Sequence, residues 1–85
     1  MYKVLVVEDE HYLLQELCET VEWERFGCEI GGCAENGEEA ERLATELSPD
    51  LIITDIRLPG MDGLELLQRT RPPAAIVITG FDQFQ

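Results

Sequence analysis

The chain has 85 residues, enough for one small domain spanning residues 1–85, and its 45% apolar content excludes wholesale disorder. Acids outnumber bases 18 to 6, a formal charge of −12, so the surface repels phosphate backbones and anionic membranes while welcoming cations. Direct nucleic-acid binding and membrane insertion are therefore not expected, and no apolar stretch reaches transmembrane length.

"KVLVV" (3–7) predicts a strand buried on both faces. "EDEH" follows, and then Leu14, Leu17, Cys18 and Val21 recur at i, i+3, i+4 and i+7, one face of a helix. This helix is expected to run to "WERFG", with Gly27 as its stop. "CEIGGCA" predicts a weaker second strand softened by glycines. Asn36 is the expected N-cap of "GEEAERLATEL", whose apolar face is Ala40, Leu43, Ala44 and Leu47 and which "SP" breaks at Ser48 and Pro49. "LIIT" is the third strand. A third helix after Gly63 is carried by Leu64, Leu66 and Leu67, "AAIVIT" is a fourth strand, and "GFDQFQ" opens a further element. The alternation of strand and helix implies an α/β fold, a parallel sheet with right-handed crossovers and helices on its faces.

The three cysteines, Cys18, Cys28 and Cys33, lack metal-type spacing, and no export signal follows Met1. Reduced cytoplasmic thiols are expected, with Cys18 in the core. His11, at the start of the first helix, is expected to face solvent.

Open parallel sheets bind ligands outside the carboxyl ends of their strands. This chain places Glu8 and Asp9 after the first strand, Asp55 after the third and Thr79 after the fourth. Two carboxylates about 4 Å apart repel by roughly 4 kcal/mol at an effective dielectric of 20, so three together call for a cation. The donors are all hard oxygens, which favours Mg²⁺ over zinc. A metal beside a carboxylate suits phosphoryl transfer, with Asp55 as nucleophile and Thr79 as a hydrogen-bond donor to the bound group. A haloacid-dehalogenase-like phosphatase would need an acid two residues after Asp55, where Arg57 stands. A dinucleotide site would need a glycine-rich turn after the first strand, which is absent.

"VLVVEDE", "PDLIITDIRLPGMDG" and "VITGF" together resemble the receiver domain of two-component response regulators, from Lys3 to the last residue. The resemblance implies a flavodoxin-like, doubly wound parallel sheet of strand order 2-1-3-4-5. It implies a regulatory phosphoacceptor rather than an enzyme, with Asp55 taking a phosphoryl group from a sensor histidine kinase. Asp9 and Asp55 would ligate Mg²⁺ directly, Glu8 through water, and Arg57 through its backbone carbonyl, in a loop shaped by Pro59 and Gly63. Thr79 would report phosphorylation. "WERFG" and "GFDQFQ" also resemble receivers joined to AraC-type DNA-binding domains. The resemblance further implies a fourth helix, a fifth strand ending in a Lys, and a fifth helix. This chain ends before them, so a fold truncated to about four strands and three helices is expected. Its only lysine, Lys3, opens the first strand at the far end of the sheet. Impaired transfer is expected without that cation. Self-association through the bare fourth-strand edge or the uncovered sheet face is expected as well, making the chain a homo-oligomer. The alternative is a non-phosphorylatable fragment that acts only in self-association or protein interaction.

Overall fold

The computed structural model describes residues 1–79. The elements run β1 (Tyr2–Val7), α1 (His11–Glu19), a 3₁₀ turn (Trp23–Phe26), β2 (Cys28–Ala34), α2 (Gly37–Leu47), β3 (Leu51–Asp55), α3 (Gly63–Thr70) and β4 (Ala74–Ile78). The strands are parallel in the order β2-β1-β3-β4, the four-stranded part of the arrangement the sequence resembles. The element expected at "GFDQFQ" lies outside the described residues.

β1 is buried throughout its apolar run because it is covered on both faces. Leu5 and Val7 join Ile52, Ala34, Ala40 and Leu66 beneath α2 and α3. Val4 and Val6 join Ile53 and Leu14 beneath α1. Each buried Val, Leu or Ile among these contributes about 1.5–3 kcal/mol through burial, so the two central strands form the energetic spine.

The helix ends follow local chemistry. Asn36 caps α2, its Oδ1 accepting the N–H of Glu39 at 2.8 Å, while Glu39 reaches back to the N–H of Glu35 at 3.1 Å. The expected face of α2 is the one that packs: Ala40 is buried and Leu43 and Ala44 lie against the core. The chain then turns out of the helix at Ser48, with φ of 47°. In α3, Leu66 and Leu67 face the core, but Leu64 is half exposed and takes no part in it.

α1 is shorter than its periodicity predicts. It stops at Glu19, and Gly27 (φ 73°) closes the separate 3₁₀ turn instead. The reason is tertiary. Thr20 turns its hydroxyl back to the carbonyl of Glu16, and the indole of Trp23 donates to the carbonyl of Leu17 at 3.0 Å. These bonds satisfy terminal carbonyls that a longer helix would have used.

β2 holds a one-residue slip. Ile30 pairs with Val4 and Gly32 pairs with Leu5, leaving Gly31 as the extra residue of a bulge. The slip reverses the alternation of faces. Cys28 and Ile30 face α1, and after the slip so does Cys33, while Gly32 sits under Leu43 and Leu47 of α2. Cys33 therefore meets Cys18 of α1, and the two sulfurs are bonded. This corrects the expectation of three reduced thiols; Cys28 alone is free.

β4 is an edge of the described sheet. Ala74, Ala75 and Ile76 are exposed, and Ile78 packs inward.

Candidate functional site

The sheet register itself assembles the site. Val7 of β1 pairs with Thr54 of β3, so the next residue on each strand, Glu8 and Asp55, lie side by side at the carboxyl edge. Strands in a sheet stand about 4.8 Å apart, which fixes the spacing of these two backbones. Glu8 also continues the ladder toward β2, its N–H donating to the carbonyl of Ala34 at 3.0 Å. Asp9 follows directly. Carboxylate oxygens of Glu8, Asp9 and Asp55 all lie within 4.8 Å of one another.

The three acids differ in environment. Glu8 is only 2% exposed. Its Oε2 accepts the N–H of Glu10 at 2.9 Å, but its buried Oε1 has no hydrogen-bond partner among the described residues. Burial, with the charge of Asp55 and the neighbouring Asp9 adding to it, pushes the Glu8 carboxyl up to about 7 against the opposing backbone bond from Glu10. Asp55 is half-buried, and Asp9 is exposed. The N–H of Arg57 donates to Oδ1 of Asp55 at 3.2 Å, while the residue as a whole is exposed.

The loop after Asp55 is held tightly. The chain bends at Pro59 and Gly60, the ring fixing φ at the first and the second taking a φ of 78°. Asp62 caps α3 by accepting the N–H of Glu65 at 2.8 Å. The N–H of Gly63 donates to the carbonyl of Ile56 at 2.8 Å, and Gly63 lies so close to the Asp55 backbone that a Cβ there would overlap its carbonyl oxygen. The start of α3 thus presses on the residue that ends β3.

Thr79 is on the same edge, one strand further over. Asp55 pairs with Ile78 in the β3–β4 ladder, and Thr79 comes next. It is exposed and makes no hydrogen bond to the three acids among the described residues. Glu8, Asp9 and Asp55 are thus brought together, Arg57 is tied to them through its backbone, and Thr79 stands beside them.

Two acids near the site escaped the sequence reading. Glu10 is the cap of α1, its Oε1 accepting the N–H of Tyr12 at 3.1 Å, and Asp62 caps α3. An acid immediately before an apolar-periodic run was the available signal for both. His11 is exposed as expected, yet its Nδ1 lies 3.0 Å from Glu35 Oε2, joining the start of α1 to the end of β2.

A family described as the response regulator receiver domain matches residues 4–84. The chain belongs to the response regulator receiver domain family. The transcriptional regulatory protein YesN of Bacillus subtilis is 38% identical over 89 residues, which take in 100% of this chain and 24% of that protein. The positive alginate biosynthesis regulatory protein of Pseudomonas aeruginosa is 40% identical over 85 residues, 95% of this chain and 34% of the relative. Among solved receivers, the REC domain of AraT, a response regulator from Geobacillus stearothermophilus, superposes with a TM-score of 0.85 at 36% identity, covering 94% of this chain and 65% of that one. The receiver thus spans about a quarter to a third of these two curated relatives.

Proposed function

We propose that this receiver accepts a phosphoryl group from a sensor histidine kinase onto Asp55, with Mg²⁺ held by Glu8, Asp9, Asp55 and the backbone carbonyl of Arg57. The observation that carries the reading is the partnerless buried Oε1 of Glu8 beside two further carboxylates. A buried carboxylate oxygen without a donor is costly, and a hard divalent cation is the group that relieves it. The all-oxygen donor set fits Mg²⁺. When bound, the ion offsets charge on phosphoryl oxygens.

The chain's own residues supply the rest. The Arg57 N–H engages Oδ1 of Asp55 and orients the carboxylate. The other oxygen, Oδ2, is the nucleophile: the phosphorus–nitrogen bond to the kinase histidine breaks as the phosphorus–oxygen bond to Asp55 forms. The Thr79 hydroxyl then donates to the bound phosphoryl group and couples it to the end of β4. Lys3 is at the opposite end of the sheet, its Nζ donating to the carbonyl of Leu47 at 3.2 Å, and supplies no positive charge at Asp55. The unit of residues 1–85 acts as a cytoplasmic regulatory phosphoacceptor rather than a turnover enzyme. No helix among the described residues is long and apolar enough to cross a membrane. The names of the relatives favour a transcriptional output.

The test is intact-mass measurement after incubation with Mg²⁺ and acetyl phosphate. One phosphoryl adduct is expected, absent from Asp55→Asn and from a chelator-treated sample. An unmodified wild-type mass at saturating donor rejects the reading and leaves the chain a non-phosphorylatable interaction module.

A second reading, self-association, has β4 in its favour, an edge of the sheet among the described residues, where Ile76 is 51% exposed. Sedimentation at micromolar concentration should show a dimer that Ile76→Lys weakens. A monomer at every concentration would rule it out.

A further inference from the structure

α1 and β2 are fastened to each other by sulfur. Cys18 lies in the last turn of α1 and Cys33 is the next-to-last residue of β2; their sulfurs are bonded, their Cα atoms are 7.4 Å apart, and they stand 15 positions apart in sequence. Both side chains are half-buried and line one surface pocket of about 290 Å³ with His11, Leu14, Glu35 and Glu39. A small thiol or disulfide therefore has a path to these sulfurs. In a reducing compartment, disulfides that do form are mostly transient and redox-responsive rather than structural. Cys28 is set apart from the pair. It starts β2 opposite Tyr2, five residues from Cys33, about 16 Å along the strand.

We propose that Cys18 and Cys33 are a reversible redox site, closed by a low-molecular-weight disulfide of the glutathione class and opened by a dithiol. The thiolate of one cysteine attacks the reagent, whose sulfur–sulfur bond breaks and releases one thiolate. The second cysteine's thiolate attacks the resulting mixed disulfide, forming the Cys18–Cys33 bond and releasing the second thiolate. Two electrons pass from the protein to the reagent, and the two thiol protons pass to solvent or to the departing thiolates. The closed form holds α1 against β2. Because α1 begins two residues after Asp9, the bond also steadies the segment that carries the acids. The Gly31 bulge makes the site possible, since an unslipped β2 would turn Cys33 toward α2. The inference does not depend on phosphorylation of Asp55.

The experiment uses the full chain, treated with oxidised glutathione or with dithiothreitol, then alkylated and weighed. One alkylated thiol is expected after oxidation and three after reduction. Peptide mapping should place the single label on Cys28. In Cys28→Ser the melting temperature should fall by about 10 °C or more on reduction, the loss expected when a loop of this length opens in a small domain. Cys18→Ser combined with Cys28→Ser should melt identically in both reagents. Three labelled thiols after oxidation, a bond between two chains or to Cys28, or a redox-independent melting temperature in Cys28→Ser would each overturn the proposal.

Discussion

Gly63→Ala should destabilise the protein by about 3 kcal/mol, lowering its melting temperature by roughly 12–24 °C. The added methyl would overlap the carbonyl of Asp55 and crowd the Ile56 backbone. These are main-chain atoms and cannot rotate away as a side chain would. Either the start of α3 lifts, breaking the Gly63–Ile56 hydrogen bond, or the end of β3 shifts and carries Asp55 with it. Gly60→Ala is the matched comparison. That position has open space but a φ of 78°, so the cost is backbone strain alone, about 1–2 kcal/mol. Urea denaturation with an unchanged slope checks both. Equal losses in the two variants would mean that the contact between α3 and Asp55 is slack.

Without divalent cation, stability should fall as pH rises from about 4.5 to about 7, by up to roughly 3 kcal/mol attributable to Glu8. The folded chain holds the Glu8 proton to a higher pH than the unfolded chain does, because burial opposes its charge. Folding therefore takes up a proton within that window. The stabilisation is complete below the unfolded value and is lost as pH passes the folded one. Glu8→Gln removes the titrating group while keeping an oxygen for the Glu10 N–H, so its stability should be flatter with pH and higher above neutrality. Millimolar Mg²⁺ should restore the wild type near pH 8 and leave Glu8→Gln nearly unmoved. Denaturant midpoints at pH 5 and pH 8, with chelator and with Mg²⁺, measure all of this. A wild type more stable at pH 8 than at pH 5 in chelator, by the same margin as Glu8→Gln, would contradict it.

The legible and illegible parts of this fold divide by the range of the interaction. β1 and β3 were readable because a parallel strand covered on both faces must be apolar at every position, and "VLVV" and "LII" are. The convergence of Glu8, Asp9 and Asp55 was readable because neighbouring parallel strands end together. Strand order came from resemblance to receivers, since local pattern does not encode it. The end of α1 was misread because its stop depends on Trp23 reaching back to Leu17, a contact the heptad-like spacing through Val21 does not disclose. Leu64 was misplaced because its apolar character says nothing about which side of a short helix lies uppermost. The Cys18–Cys33 bond was hidden by a single extra residue. Alternation counted through "CEIGGCA" puts Cys33 on the wrong face unless Gly31 is recognised as unpaired.

The bond from Trp23 to the end of α1 also has a practical outcome. Trp23 is the chain's one tryptophan, so every photon of indole emission originates at that junction. Fraying of α1 would free the indole hydrogen to water and shift the emission red while the sheet stayed intact. Fluorescence and far-ultraviolet dichroism would then trace different curves, and the gap between them would time the loosening of one helix against collapse of the whole.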